Sequence, residues 1–214
     1  YSQKNSVPLL ARGGGSSQCG QTVGESVVLD YSKHQNKILE LNVEEKYVWV
    51  QPGVVLDHLN AYLKPHGLWF PVDVSTSSRA TIGGMSANNS CGSRSLYYGN
   101  MVHNVLAIEA ILDDGSIFNF DQINKNYLAT KNNQDRLYKI IDKFIDVRQQ
   151  VGSEIDANWP TTQRRVGGYN IDLIDPEGFN SSNLLVGSEG TLSLFNKIKL
   201  KLSEIPKNKI LGVC

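Results

Sequence analysis

Arg12-Gly13-Gly14-Gly15-Ser16-Ser17 and Ala80-Thr81-Ile82-Gly83-Gly84-Met85-Ser86-Ala87-Asn88-Asn89 are the two stretches whose reading decides the fold. Both are rich in glycine and small polar residues, and each lies beside apolar segments that read as strands. Glycine reaches backbone angles closed to other residues and lets a ligand come close to the main chain. Successive N–H groups in such a turn form a concave anion site suited to a pyrophosphate. One such loop is usually only a turn. Two, joined through Phe70-Pro71-Val72-Asp73-Val74-Ser75-Thr76, point to a large phosphate-bearing ligand held from two sides.

Other phosphate motifs fit badly. No Gly-Lys-Ser/Thr follows Gly15, as a P-loop requires, and Gly13-Gly14-Gly15 lacks the G-x-G-x-x-G register that opens a helix. Three further motifs follow in order: Val50-Gln51-Pro52-Gly53-Val54, Gly67-Leu68-Trp69-Phe70-Pro71 and Leu185-Val186-Gly187-Ser188-Glu189-Gly190-Thr191-Leu192. With them the chain resembles, over nearly its whole length, the FAD-binding domain of the vanillyl-alcohol oxidase (PCMH-type) flavoproteins. Within these it is most similar to the D-lactate/glycolate/D-2-hydroxyglutarate dehydrogenase branch. The run Arg164-Arg165-Val166-Gly167-Gly168-Tyr169-Asn170 resembles long bacterial members with an appended iron–sulfur module, so the resemblance implies such a cluster elsewhere in a longer protein. Two other readings stay open. One is a UDP-N-acetylenolpyruvoylglucosamine reductase-like flavoenzyme on the same fold, and the other is a module that holds FAD without turnover.

The resemblance implies oxidation of a D-2-hydroxy acid by hydride transfer to flavin N5, with noncovalent FAD. It assigns Gly13, Gly14, Gly15, Ser16 and Ser17 to the pyrophosphate, with Gly20 extending that cradle. Pro71 and Asp73 run along the flavin and phosphates, although an Asp in such a turn is otherwise a turn residue. Gly83, Gly84, Asn88 and Gly92 fall on the isoalloxazine and ribityl side, and the Val105 backbone at the adenine or ribose end. Covalent relatives carry His where this chain has Ser16. A second attachment, by Cys, falls just before Gly83, and Cys91 lies beyond it. Glu189 matches a position close to the cofactor, whereas Lys197 departs from a Glu common in relatives.

No catalytic residue is assigned. His34, His58, His66 and His103 are scattered and complete no metal site; His103, nearest the second stretch, reads as structural. Arg164 and Arg165 suit either a substrate carboxylate or a salt bridge.

Composition narrows the class. Of 214 residues, 40% are hydrophobic and 20% charged, as in an ordinary globular protein. Formal net charge is zero, so nothing suggests a nucleic-acid partner. No apolar run reaches transmembrane length. Cys19, Cys91 and Cys214 lack metal-ligand spacing and suit a reduced, cytoplasmic setting, peripheral at the inner membrane where the resemblance holds. The implied partners are a small 2-hydroxy acid and an electron acceptor, a quinone or a redox protein. Tyr1 and the strand-like Lys207–Cys214 lead us to expect a piece of a longer protein.

Periodicity fills in the elements. Val27–Tyr31 is a short strand signal, Ile38–Leu41 and Tyr47–Val50 a hairpin, and Val54–Lys64 a helix. Val102–Leu112 and Ser116–Phe120 flank the Asp114-Gly115 turn. Apolar spacing predicts a helix over roughly 133–152. In the last strand Leu194, Asn196, Ile198, Leu200 and Leu202 alternate with Phe195, Lys197, Lys199 and Lys201, predicting one buried face and one solvated lysine face. The class is α+β: a PCMH-type fold of two α/β subdomains, residues 1–75 and 76–214, dividing around 71–80 with the cofactor between them.

Overall fold

A computed structural model describes residues 1–124, 127, 135–162, 164–208 and 210. Cys214, and most of the strand expected from Lys207 onward, lie outside them. After one turn, α1 (Ser2–Asn5), β1 (Leu9–Arg12) and β2 (Val27–Asp30) form a parallel two-stranded ribbon. The expected hairpin is β3 (Ile38–Asn42) and β4 (Tyr47–Val50). Then come α2 (Leu56–Leu63), β5 (Leu68–Trp69) and three short helices, α3 (Ile82–Ala87), α4 (Ser95–Tyr98) and α5 (Met101–Asn104). A second hairpin, β6 (Val105–Ile111) and β7 (Ile117–Phe120), turns at Asp114-Gly115. The remaining elements are β8 (Gln122–Asn124), α6 (Arg136–Asn158), β9 (Gly178–Asn180), β10 (Leu194–Lys201) and β11 (Ser203–Glu204).

The main sheet runs β3-β4-β10-β6-β7, antiparallel throughout. Its register places Val50, Ile198, Ile108 and Phe120 side by side across four strands. None is more than 1% exposed. Burying each such side chain stabilises by about 1.5–3 kcal/mol. Leu56, Leu59 and Leu63 of α2 and Leu137, Ile141 and Ile145 of α6 join the same core. The α+β class therefore holds. The boundary expected near residues 71–80 does not fall between sheets, because β4 precedes it and pairs with β10 beyond it.

Several local expectations change. The second glycine-rich stretch is not a loop throughout: Ile82–Ala87 is helical, capped by the Thr81 hydroxyl, which accepts from the Gly84 N–H at 3.3 Å. The strand expected from Val102 begins at Val105, because Asn100 and His103 form a reciprocal capping box that starts α5. Helix α6 runs past residue 152 to Asn158, burying Ile155. The absence of a side chain at Gly152 leaves room for the Arg148 guanidinium, whose Nη1 lies 2.5 Å from the place a Cβ would take.

In β10 the strict alternation fails. The register shifts between Phe195 and Lys197, so Phe195 and Ile198 are both buried, three residues apart, where alternation allows two. An inserted residue in one strand of a pair has this effect. Asn196, in the bulge, donates to Glu109 Oε1 at 2.6 Å. The lysine face is covered rather than simply solvated: Lys197 pairs with Glu109 at 2.9 Å and lies over Trp49, and Lys199 lies over Tyr47.

The row across the sheet sets an expected cost. Ile198→Ala should destabilise by about 2–5 kcal/mol, read as a lower urea midpoint with an unchanged slope. Lys201→Ala, on the exposed end of the same strand, should stay within about 0.5 kcal/mol.

Candidate functional site

Strand β1 ends at Arg12, beside Asp30 of β2, and the chain leaves the ribbon as the Gly13–Ser17 loop. The main-chain N–H groups of Gly14, Gly15, Ser16 and Ser17 have no hydrogen-bond partner among the described residues. Gly15 is left-handed, φ 61°, and the Arg12 side chain folds against it. This loop, the start of α3, the Ser75–Thr76 segment and the Glu189–Phe195 segment enclose a cleft of about 450 Å³. That is the scale of a small-molecule site.

The cleft wall mixes polar and apolar groups and is almost uncharged. Arg12 and Glu189 are its only charged side chains among the described residues, and Ser16, Ser17, Thr22, Ser75, Thr76, Thr81, Ser90 and Ser193 bring hydroxyls. Buried Gln21 Oε1 and Ser193 Oγ, on the same wall, have no hydrogen-bond partner. A buried polar atom without a partner is costly and rare, and it marks a place where a partner is expected. Free consecutive N–H groups, hydroxyls and two orphaned polar atoms fit a dinucleotide with a diphosphate bridge and polar heterocycles.

The expected site residues divide into two groups. Gly13, Gly14, Gly15, Ser16, Ser17, Gly83, Gly84 and Asn88 are brought together on the cleft wall. Gly20, Pro71, Asp73, Gly92 and Val105 are outside it. Gly20 is an exposed left-handed turn residue with open space around its Cβ position. Pro71 is buried. Asp73 accepts from Ser93 Oγ at 2.7 Å and Arg94 N at 3.0 Å, and Gly92 packs against the Asp73 carbonyl. The Val105 carbonyl is taken by Asn180 Nδ2 at 3.0 Å and its N–H by Met101 O, so its backbone groups already have protein partners.

The glycines themselves differ. A Cβ on Gly13 would lie 2.2 Å from Thr81 Oγ1, and one on Gly14 would lie 2.3 Å from the Arg79 carbonyl. One on Gly83 would lie 2.5 Å from Pro52 Cβ. These three are small so that the protein can pack on itself. Only Gly84, whose Cβ would meet nothing closer than Thr81 Oγ1 at 3.2 Å, has room on its cleft side.

Sequence reading also missed wall residues. Tyr31, Gln21, Ser193, Phe195 and Cys91 line the cleft. Their positions arise from strand pairing and turns, and no motif joins them. Glu189, expected near the site, is there with a left-handed backbone, φ 51°. Its N–H donates to Ala87 O at 3.0 Å, which docks the turn on the end of α3.

Neither arginine candidate lines the cleft. Arg165 pairs with Asp172 at 2.6 Å and stacks on Trp159, and Arg164 donates to the Gly92 carbonyl at 3.0 Å. His103 is structural, as its sequence context suggested. Its Nδ1 accepts the Asn100 N–H at 3.0 Å. Burial holds its pKa below 6.5, helped by the Arg165 charge and opposed by Asp172.

Against this geometry, comparison with known proteins is specific. Residues 1–121 match the family described as FAD binding domain. The D-2-hydroxyglutarate dehydrogenase of Haemophilus influenzae is 36% identical over 216 residues, covering 96% of this chain and 21% of that protein. The Pseudomonas putida enzyme of the same name is 37% identical over 211 residues, covering 96% and 21%. The mitochondrial D-lactate dehydrogenase [cytochrome] of Arabidopsis thaliana is 28% identical over 210 residues, covering 97% and 28%. The chain thus spans 21% of the length of the first of these relatives. A solved alkyldihydroxyacetonephosphate synthase superposes with a TM-score of 0.63 at 19% identity, covering 97% of this chain and 31% of that one, which shows a shared fold. The chain belongs to the FAD-binding-domain family.

His103 gives a pH signature. The unfolded chain takes up a proton near pH 6.5 that the folded His103 resists, so its contribution is whole above that pH and is lost as pH falls. We expect the melting temperature to drop between pH 7.5 and 5.5, and His103→Gln, which keeps an acceptor for Asn100, to flatten that slope.

Proposed function

We propose that this member of the FAD-binding-domain family is the cofactor-holding part of an FAD-linked dehydrogenase or oxidase acting on a D-2-hydroxy acid of the glycolate, D-lactate or D-2-hydroxyglutarate type. The observation that carries it is the run Gly14 to Ser17, whose N–H groups have no partner among the described residues and which lines a hydroxyl-rich cleft in a chain of this family. The substrate class rests on the names of the relatives.

In this reading the Gly14–Ser17 N–H groups hold the diphosphate, with the Ser75 and Thr76 hydroxyls on the same wall and Arg12 balancing one charge. Gly84 and Asn88 face the flavin side, Gly84 by leaving space and Asn88 by offering an amide. Gly13 and Gly83 act indirectly, by letting the walls meet. Gly20, Pro71, Asp73, Gly92 and Val105 lie outside the wall and act by shaping the backbone around it. When bound, FAD supplies the two-electron acceptor. The wall has no imidazole among the described residues, and Glu189 is its one carboxylate, so only Glu189 there is a candidate to receive the substrate hydroxyl proton. Electrons leave to a quinone or a redox protein. No helix among the described residues is long and apolar enough to cross a membrane, which is compatible with a cytoplasmic protein peripheral at the inner membrane.

The binding is noncovalent in this reading, since Ser16 occupies the attachment position. Acid precipitation should release all yellow colour as FAD. Colour held in the pellet of the parent and lost in Cys91→Ser would instead show a thioether, because Cys91 lies on the wall.

A sharper test uses the difference between the glycines. Gly84→Leu adds a side chain into open cleft at a helical position, so the apo fold should survive with similar melting while FAD affinity falls at least about tenfold, a loss of some 1.4 kcal/mol in binding. Gly14→Val should unfold the loop itself and lower the melting temperature. Unchanged FAD affinity in Gly84→Leu would sink the assignment of this cleft.

A further inference from the structure

Ser193 is the most buried hydroxyl on the cleft wall that lacks a partner. Its residue is 8% exposed, and its Oγ meets neither a protein donor nor a protein acceptor. It sits one residue before β10, between the Glu189–Thr191 turn and the buried Phe195 ring. The hydroxyls near the glycine loop have an evident use on a diphosphate. Ser193 lines the same cleft as the apolar side chains of Phe195 and Met85, which suit a flat ring.

We propose that Ser193 is a positioning residue for the cofactor, its hydroxyl rotating to hydrogen-bond a polar edge of one of the two heterocycles of FAD. The inference rests on the proposed FAD site and goes beyond it in naming a side chain that no family motif assigns. A hydroxyl both donates and accepts, so it can serve a ring nitrogen, a carbonyl oxygen or an amino group. The ligand-free protein carries the cost of leaving it unpaired, and the bound form recovers it. Ser26 Oγ and Ser188 Oγ are also buried and unpaired but do not line the cleft, so what singles out Ser193 is its unpaired hydroxyl together with its place on the wall.

That asymmetry makes the test selective. Ser193→Ala removes an unpaired polar atom from the apo protein but a hydrogen bond from the complex. Removing both needs and partners from a buried site is close to neutral or stabilising, whereas losing one neutral hydrogen bond weakens binding about 3- to 10-fold. We would titrate the full chain with FAD, riboflavin and ADP by calorimetry, in the parent, Ser193→Ala and Ser193→Thr, and melt each apo protein. Expected are an apo melting temperature for Ser193→Ala equal to or above the parent's, FAD affinity down about 3- to 10-fold, and recovery in Ser193→Thr. A parallel loss for riboflavin places the contact on the flavin ring, and a parallel loss for ADP places it on adenine. Unchanged FAD affinity in Ser193→Ala overturns the proposal, as does a lowered apo melting temperature, which marks a structural hydroxyl. A loss for FAD with both fragments unaffected puts the contact on the linker and overturns the assignment to a ring. A parent that binds no FAD sinks the cofactor reading itself, an outcome distinct from a parent that binds and a variant that binds equally.

Discussion

The glycine loop after β1 touches the Arg79–Thr81 segment that leads into α3 so closely that neither Gly13 nor Gly14 can carry a Cβ. Everything about the cleft depends on that approach. α3 is fixed on its other side: Ile82 N donates to Val54 O at 2.8 Å, Gly83 N to Pro52 O at 2.7 Å and Leu56 N to Ala80 O at 3.0 Å. Pro52-Gly53 follows directly from β4, a central strand of the main sheet. Gly53 closes the remaining gap, since its Cβ would lie 2.1 Å from the Tyr31 carbonyl just after β2. The small ribbon and the large sheet are thus joined at glycine crossings, and the cleft is the space those crossings leave open. Side chains at them would cost more than cavity-forming changes elsewhere, because the atoms met are mostly backbone and cannot move aside.

The opposite wall is held by polar groups rather than by close packing. Asn89, left-handed at φ 48° and 1% exposed, accepts from Val102 N at 3.0 Å and donates to Asn170 at 3.4 Å. Asn170 donates in turn to Val186 O at 2.7 Å, and Gly187 N reaches Ser86 O at 3.0 Å. Asn100 ties in the Arg165 carbonyl at 3.0 Å. These contacts fix the segment from Arg165 to Glu189 against α3 and α5. Buried amides specify geometry when every member is satisfied, because an alternative arrangement strands a donor. The turn carrying Glu189 is therefore placed by this network together with its own N–H bond to Ala87 O at the end of α3.

This division explains what the sequence disclosed. Strands β3 and β4 and helix α2 follow from apolar spacing, which survives because their cores are simple; for β10 the spacing gives the strand but not its bulge. α3 did not read as a helix, since adjacent Gly83 and Gly84 have poor helix propensity. The signal that existed was Thr81 with an N–H three residues on, a cap that tertiary bonds to Pro52 and Val54 make sufficient. The bulge at Asn196 leaves no mark in the pattern because its reason, the Glu109 partner, lies on another strand. For the site, motif residues were legible where a loop supplies consecutive groups, as from Gly13 to Ser17. Gln21, Tyr31, Cys91 and Ser193 were not, being single residues that meet through long-range pairing. Val105 lies outside the cleft wall, its carbonyl accepting from Asn180 and its N–H donating to Met101, pairings that only the fold contains.

The distribution of charge carries one more step. Outside the cleft, Arg148, Arg165, Lys197 and Arg136 each have a carboxylate partner. Inside it only Arg12 and Glu189 are charged among the described residues. A site meant to hold a dianionic bridge by ion pairing would concentrate cations there, and its grip would fall steeply with salt. A site that uses N–H groups and hydroxyls holds the same bridge by direction and distance, with little dependence on ionic strength, and spares the cleft a field that would compete with redox chemistry. It also means that a carboxylate substrate would find little attraction on this wall, with Arg12 on the side of the glycine loop and both Arg164 and Arg165 engaged elsewhere. In the proposed reaction, then, these residues supply a placed cofactor and a shaped wall, while recognition of the acid must come from groups other than the arginines seen here.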